Sequence, residues 1–141
     1  MHRIKILAMV VISVALAGCG TLKEMKNKDM AVEFDRSARG YNRLVRWHDL
    51  DTAEAAFVTP GLRNEYRKRV TAAKEVKIVD YRVKSMECSP IKREGSVVVE
   101  IDYYRLPSVE VRTLEDRQLW SYEGEEENRA WRLTTLLPEF K

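Results

Sequence analysis

Apolar residues along this 141-residue chain change their spacing twice. From Ile6 to Gly18 no charged residue interrupts them. From Met30 to His48 they recur every three or four positions, and beyond Lys74 they alternate with polar ones. The middle pattern, Met30, Phe34, Ala38, Tyr41, Val45 and His48, predicts an amphipathic helix with Asp29 at its N-cap. Asp51 is placed to cap a short second helix through Thr52 to Val58, and Thr59-Pro60-Gly61 stops it. A third helix is expected from Leu62 to Glu75, with Leu62, Tyr66, Val70 and Ala73 facing inward.

The alternating part predicts strands. Val76 to Cys88 and Ser96 to Leu106 are joined across Ser89 to Gly95, and in the second of them Val97, Val99, Ile101 and Tyr103 share one face. Pro107-Ser108 marks a break before Val109 to Thr113, and a strand resumes at Gln118 to Tyr122 after the charged Glu115-Asp116-Arg117. A turn covers Glu123 to Asn128, and the last strand runs from Ala130 to Leu137. Two to three N-terminal helices followed by a curved, roughly four-stranded antiparallel sheet define an α+β fold.

The opening stretch does not belong to that domain. A basic start with Arg3 and Lys5, a short apolar run and then small residues have the form of an export signal. The run is too short to span comfortably, because crossing the hydrocarbon takes about 20 apolar residues. Leu16-Ala17-Gly18-Cys19 resembles the lipobox of bacterial lipoproteins. The resemblance implies cleavage after Gly18, acylation of Cys19 with fatty chains such as palmitate, and anchoring to a membrane through that lipid. Two or three chains, at about 0.8 kcal/mol per buried methylene, hold stably where one is marginal. The residue after the cysteine is Gly20 and not the Asp that resembles an inner-membrane retention signal, so the expected location is the outer membrane, facing the periplasm. Residues 1–18 are thus read as a signal peptide, 19–28 as a lipidated tether reaching about 30 Å when extended, and 29–141 as the domain.

Charge changes with that division. Arg3 and Lys5 leave with the signal, and 23 Lys and Arg then face 22 Asp and Glu. A near-neutral domain lacks the concentrated basic footprint of a nucleic-acid binder, and no nucleic-acid partner is expected. Cys88 is the only cysteine besides Cys19, so no disulfide within the domain is expected, and Cys88 reads as a small core residue.

Gln118-Leu119-Trp120-Ser121-Tyr122, followed after a turn by Ala130-Trp131-Arg132-Leu133 and then Leu137-Pro138, resembles the nuclear-transport-factor-like, or SnoaL-like, cone. The resemblance extends from about Met30 onward. It implies a bent antiparallel sheet wrapped around helices, often with a pocket between them and often with dimerisation through the sheet. The fold hosts enzymes, ligand binders and assembly factors, so it names no single function.

No catalytic set stands out. The strand acids weighed are Asp80, Glu87, Glu100 and Asp102. Asp80 and Asp102 lie next to apolar neighbours, so strand parity points them to the opposite, solvated face. His48 reads as a histidine finishing a helix. With one histidine in the mature chain there is no metal-ligand spacing, no scattered glycine forms a phosphate loop, and no cofactor is expected. Tyr41, His48, Tyr66, Trp120 and Trp131 are candidates for lining a pocket, against the alternative that the rings are core. Arg36, Arg39, Arg43 and Arg46 form a stripe on the far side of the first helix, a candidate face for anionic head groups or an envelope protein partner. Glu33 and Asp35 are spaced to pair with Arg36 and Arg39. The expectation is a non-enzymatic binding or assembly module; a small apolar-ligand binder or an enzyme using a cone pocket is the alternative.

Overall fold

The computed structural model describes the backbone from His2 to Lys141 and the side chains from Gly20 onward. Helix α1 spans His2–Arg46, α2 Leu50–Phe57 and α3 Arg63–Ala72. Four strands follow: β1 Val76–Ser89, β2 Glu94–Arg105, β3 Arg112–Glu123 and β4 Ala130–Leu133. They pair in sequence order as one antiparallel meander, β1-β2-β3-β4. The three helices pack on this sheet, which is the α+β arrangement that the two periodicities predict.

Helix α1 begins well before Asp29 and differs from the expected tether. Residues 20–28 are helical, and Asp29 is an exposed interior position of the helix, not its cap. Leu22, Lys23, Glu24, Met25, Lys26 and Lys28 are good helix formers with no proline among them, so local propensity carries the helix through a segment whose lack of amphipathic periodicity suggested coil. Nine helical residues rise about 14 Å, half the reach of the extended chain. Cys19 and Gly18, the expected lipidation and cleavage residues, lie outside the described side chains.

Helix α1 ends in a Schellman closure. The His48 N–H bonds to the Val45 carbonyl at 3.0 Å, the Asp49 N–H to that of Leu44 at 2.9 Å, and His48 holds φ at 59°, in the left-handed region. Asp49, not Asp51, precedes α2, and it makes no side-chain cap bond. Helix α3 is shorter than expected and stops at Ala72.

Strand β3 is continuous, where Glu115-Asp116-Arg117 suggested a gap. Its inward positions are Leu114, Asp116, Gln118 and Trp120, and the charge at Asp116 hides an unbroken inside-outside alternation. Gly95 likewise lies inside β2 and not in the connecting turn. Register shifts between Ile78 and Asp80 and between Val83 and Ser85 bend β1, since an extra residue on one strand kinks the ladder. Strand β4 ends at Leu133, before the expected Leu137, yet the chain beyond it stays docked. Leu137 and Phe140 are buried, the Tyr103 hydroxyl and Arg112 guanidinium donate to the Lys141 carbonyl at 2.9 and 3.1 Å, and Arg69 pairs with Glu139 at 3.1 Å.

The core lies between α1 and the inner sheet face. Phe34 sits 4.9 Å from Trp131 and 6.2 Å from Trp120, centroid to centroid, and Tyr41 and Phe57 each meet Trp120 edge-on at 5.8 and 6.1 Å. These offset and T-shaped contacts are the arrangement aromatic quadrupoles favour. The Trp131 indole N–H donates to the Met30 carbonyl at 3.0 Å, joining β4 to α1 across 101 residues.

Candidate functional site

Four of the five candidate pocket residues are core. Tyr41, Tyr66, Trp120 and Trp131 are at most 2% exposed, and their rings fill the space a cone pocket would occupy. The hydroxyls of Tyr41 and Tyr66 meet at 2.8 Å, satisfying each other inside the fold. Burial holds both phenols well above their usual range. The Trp120 indole N–H is buried without a partner among the described residues. His48 stands apart, half-buried among Val45, Leu50, Ala73, Val76, Ile78 and Phe140, where no space is large enough for water. Its role is in the helix terminus. The sequence-level grouping of these five residues is therefore corrected: they do not line one cavity.

One buried acid was not among the candidates. Asp116, on β3, is 5% exposed and accepts a hydrogen bond from Gln118 Nε2 at 2.9 Å. The Gln118 and Asn42 amides exchange two bonds, of 2.8 and 3.1 Å, and Asn42 also donates to the Ala38 carbonyl at 2.9 Å. Asp116 thus sits in a polar seam running from α1 to β3. No cation pairs with it among the described residues, and burial pushes its carboxyl up to about 6, with the Gln118 bond pulling weakly the other way. The parity Leu114, Asp116, Gln118, Trp120 was the signal that could have found it.

Of the two acids placed by parity, Asp102 behaves as expected; Asp80 is exposed too, but beside a register shift that leaves Val79 exposed with it. Asp102 faces outward, where Arg82 donates to it at 2.7 Å and Thr113 at 2.6 Å, holding its carboxyl down at about 2. Glu100, lowered for the same reason, accepts from Arg82 and Lys84. This outer face is a solvated ionic lattice.

The far side of α1 is divided. Arg36, Arg39 and Arg43 are exposed; Arg39 pairs with Asp35 at 3.0 Å, whereas Arg36 and Arg43 have no acidic partner among the described residues. The expected pair of Glu33 with Arg36 is not formed. Arg46 leaves the stripe. It is half-buried, donates to the Ile78 carbonyl at 2.8 Å and stacks on Trp47, with its guanidinium carbon 4.8 Å from the ring centroid. Between the three exposed arginines lies a groove of about 530 Å³, edged by Val32 and floored by Phe57 of α2. Phe57 reaches it because Gly40 has no side chain; a Cβ there would stand 3.2 Å from the Phe57 ring.

Among the described residues Cys88 has no disulfide partner; it is half-buried against the core, and burial pushes its thiol up, away from the reactive thiolate. Among the described residues no group of three or more His, Cys, Asp or Glu side chains could hold a metal ion. No helix among them is long and apolar enough to cross a membrane.

No family model matches the sequence, and no curated protein matches it. Among solved structures, the chain is similar to the solution structure of a SEC-C motif containing protein from Rhodopseudomonas palustris. The TM-score is 0.56 at 13% identity, over 74% of this chain and 77% of that one. At that identity the likeness shows a shared fold.

Proposed function

We propose that this chain is a membrane-anchored envelope lipoprotein whose domain, a nuclear-transport-factor-like cone, is a non-enzymatic binding or assembly module. Anchoring rests on Leu16-Ala17-Gly18-Cys19 and the apolar run before it, with Gly20 favouring the outer membrane. The observation that favours a surface module over a pocketed ligand binder is the filled interior. Phe34, Tyr41, Tyr66, Trp120 and Trp131 occupy it, and the two tyrosine hydroxyls spend their hydrogen bonds on each other. Asp116 does not revive an enzyme reading, because it sits in the seam with one oxygen bonded by Gln118, and His48 lies in a different part of the core. The surface this reading assigns to a partner is the outward side of α1, where Arg36 and Arg43 are exposed with no acidic partner among the described residues.

Replacing Cys19 by Ala tests the anchor. The variant should leave the detergent phase on partitioning of cell extracts, whereas wild-type protein stays in it; retention of the variant would overturn lipidation at Cys19. The module reading is tested by in-cell crosslinking from position 43. Reproducible adducts to an envelope component, lost when Arg36 and Arg39 become Gln, support it. An absence of adducts to either protein or lipid overturns it.

A further inference from the structure

The outward face of α1 carries more than arginines. Counting by helical turns from Leu22, the residues opposite the core are Leu22, Met25, Asp29, Val32, Arg36, Arg39 and Arg43, at alternating steps of three and four. Trp47 extends the row, because its N–H still bonds to the Arg43 carbonyl at 3.2 Å. Leu22, Met25, Val32 and Trp47 are 62, 57, 58 and 71% exposed. The stripe runs about 37 Å along α1 and the residue that follows it. From Gly20 to Trp47 the chain holds seven Lys or Arg against four Asp or Glu.

We infer that α1 lies in the plane of an anionic bilayer, with Leu22, Met25, Val32 and Trp47 at the head-group boundary and Arg36, Arg39 and Arg43 on lipid phosphates. This deepens the proposed function by naming the surface that the face meets, and it rests on the anchored-module reading. Exposed apolar side chains interleaved with arginines, and a tryptophan at one end, are the composition of an interfacial helix. Long arginine side chains reach phosphates while their stems stay over apolar surface. A protein partner with a matching acidic surface is the competing occupant. The bilayer is favoured because a lipid on Cys19 puts it at the start of this same helix, and because the stripe lies on the side of α1 opposite its buried residues Phe34, Ala38, Tyr41 and Val45. An upright helix would instead hold Arg36 about 25 Å above Cys19, some three screening lengths from the head groups.

The test uses lipidated, full-length protein reconstituted into vesicles of phosphatidylethanolamine and phosphatidylglycerol, or of phosphatidylcholine alone, each containing brominated lipid. Bromine quenches tryptophans at the boundary, and Trp120 and Trp131 are buried, so the signal lost in Trp47→Phe isolates Trp47. Severalfold stronger quenching of Trp47 on the phosphatidylglycerol vesicles, abolished by Arg36→Gln, Arg39→Gln and Arg43→Gln together, supports the inference. Thermal melting of that variant at the wild-type temperature keeps misfolding apart from lost contact. An unquenched Trp47, or equal quenching on both vesicles, overturns it. If Trp47 is unquenched while position 43 crosslinks an envelope protein in cells, the in-plane helix falls and the binding module stands. If the protein does not float with either vesicle, the anchored reading falls too.

Discussion

A Cβ built on Gly95 would stand 2.4 Å from Cε2 of Phe34, inside the contact distance of any real pair of carbons. The absence of a side chain at one position of β2 is thus what lets the α1 aromatic reach the sheet. Gly95→Ala should force Phe34 off its seat between Trp120 and Trp131, with a loss of about 2 to 3 kcal/mol. Chemical denaturation measures it, and Phe34→Leu in the same chain should recover part of the loss. An unchanged midpoint for Gly95→Ala would mean that the α1 and sheet surfaces do not meet as closely as described.

Asp116 makes stability depend on pH in the direction opposite to most carboxylates. Burial raises its folded-state carboxyl to about 6, above the unfolded value near 3.8. The protonated form is therefore favoured by folding, and its contribution is full below about pH 4 and lost as pH rises through about 6. That contribution is on the order of 3 kcal/mol. Asp116→Asn should flatten the decline between pH 4 and 7 and raise the urea midpoint at pH 7. A variant with the same pH profile as wild type would rule out Asp116 as its source.

The tyrosine pair should show strong coupling. Tyr66→Phe leaves the Tyr41 hydroxyl buried without a partner, at a cost of about 1 to 3 kcal/mol. Replacing both by Phe removes the orphan, and the double variant should be more stable than the sum of the two single losses implies. Simple additivity in a denaturation cycle would contradict the contact.

At the end of α1, His48 occupies a backbone conformation that glycine adopts freely, with φ at 59°. His48→Gly should stabilise the chain by about 0.5 to 1 kcal/mol, read as a higher melting temperature. A destabilised variant would show that the imidazole, packed among Val45, Leu50 and Phe140, contributes more than the backbone strain costs.

Much of this architecture could be read without coordinates, for reasons local to the chain. The 3.6-residue period of Met30, Phe34, Ala38, Tyr41 and Val45 and the two-residue period of Val97, Val99, Ile101 and Tyr103 specify which faces turn inward; eight of the nine are buried and Met30 is partly buried against the same core. Parity alone put Asp102 outside, and there it meets Arg82. The lipobox resemblance is likewise a matter of four consecutive residues and an apolar run. Local patterns fail where a distant partner decides. Asp116 reads as a strand break because a charge is expensive to bury, and only Gln118, with Asn42 76 residues away from it on α1, makes its burial tolerable. The five candidate pocket residues are as compatible with a cavity as with a core, since ring size and spacing say nothing about whether Phe34 fills the gap. That depends on Gly95 in β2 and on the Trp131 bond to the Met30 carbonyl. The arginine stripe is periodic in the sequence, but its division, with Arg46 drawn onto Ile78 and Arg36 and Arg43 left outward, required β1 to be in place. Periodicity chose the faces, and long-range packing decided which polar groups on them were used inside and which remained free to meet a surface.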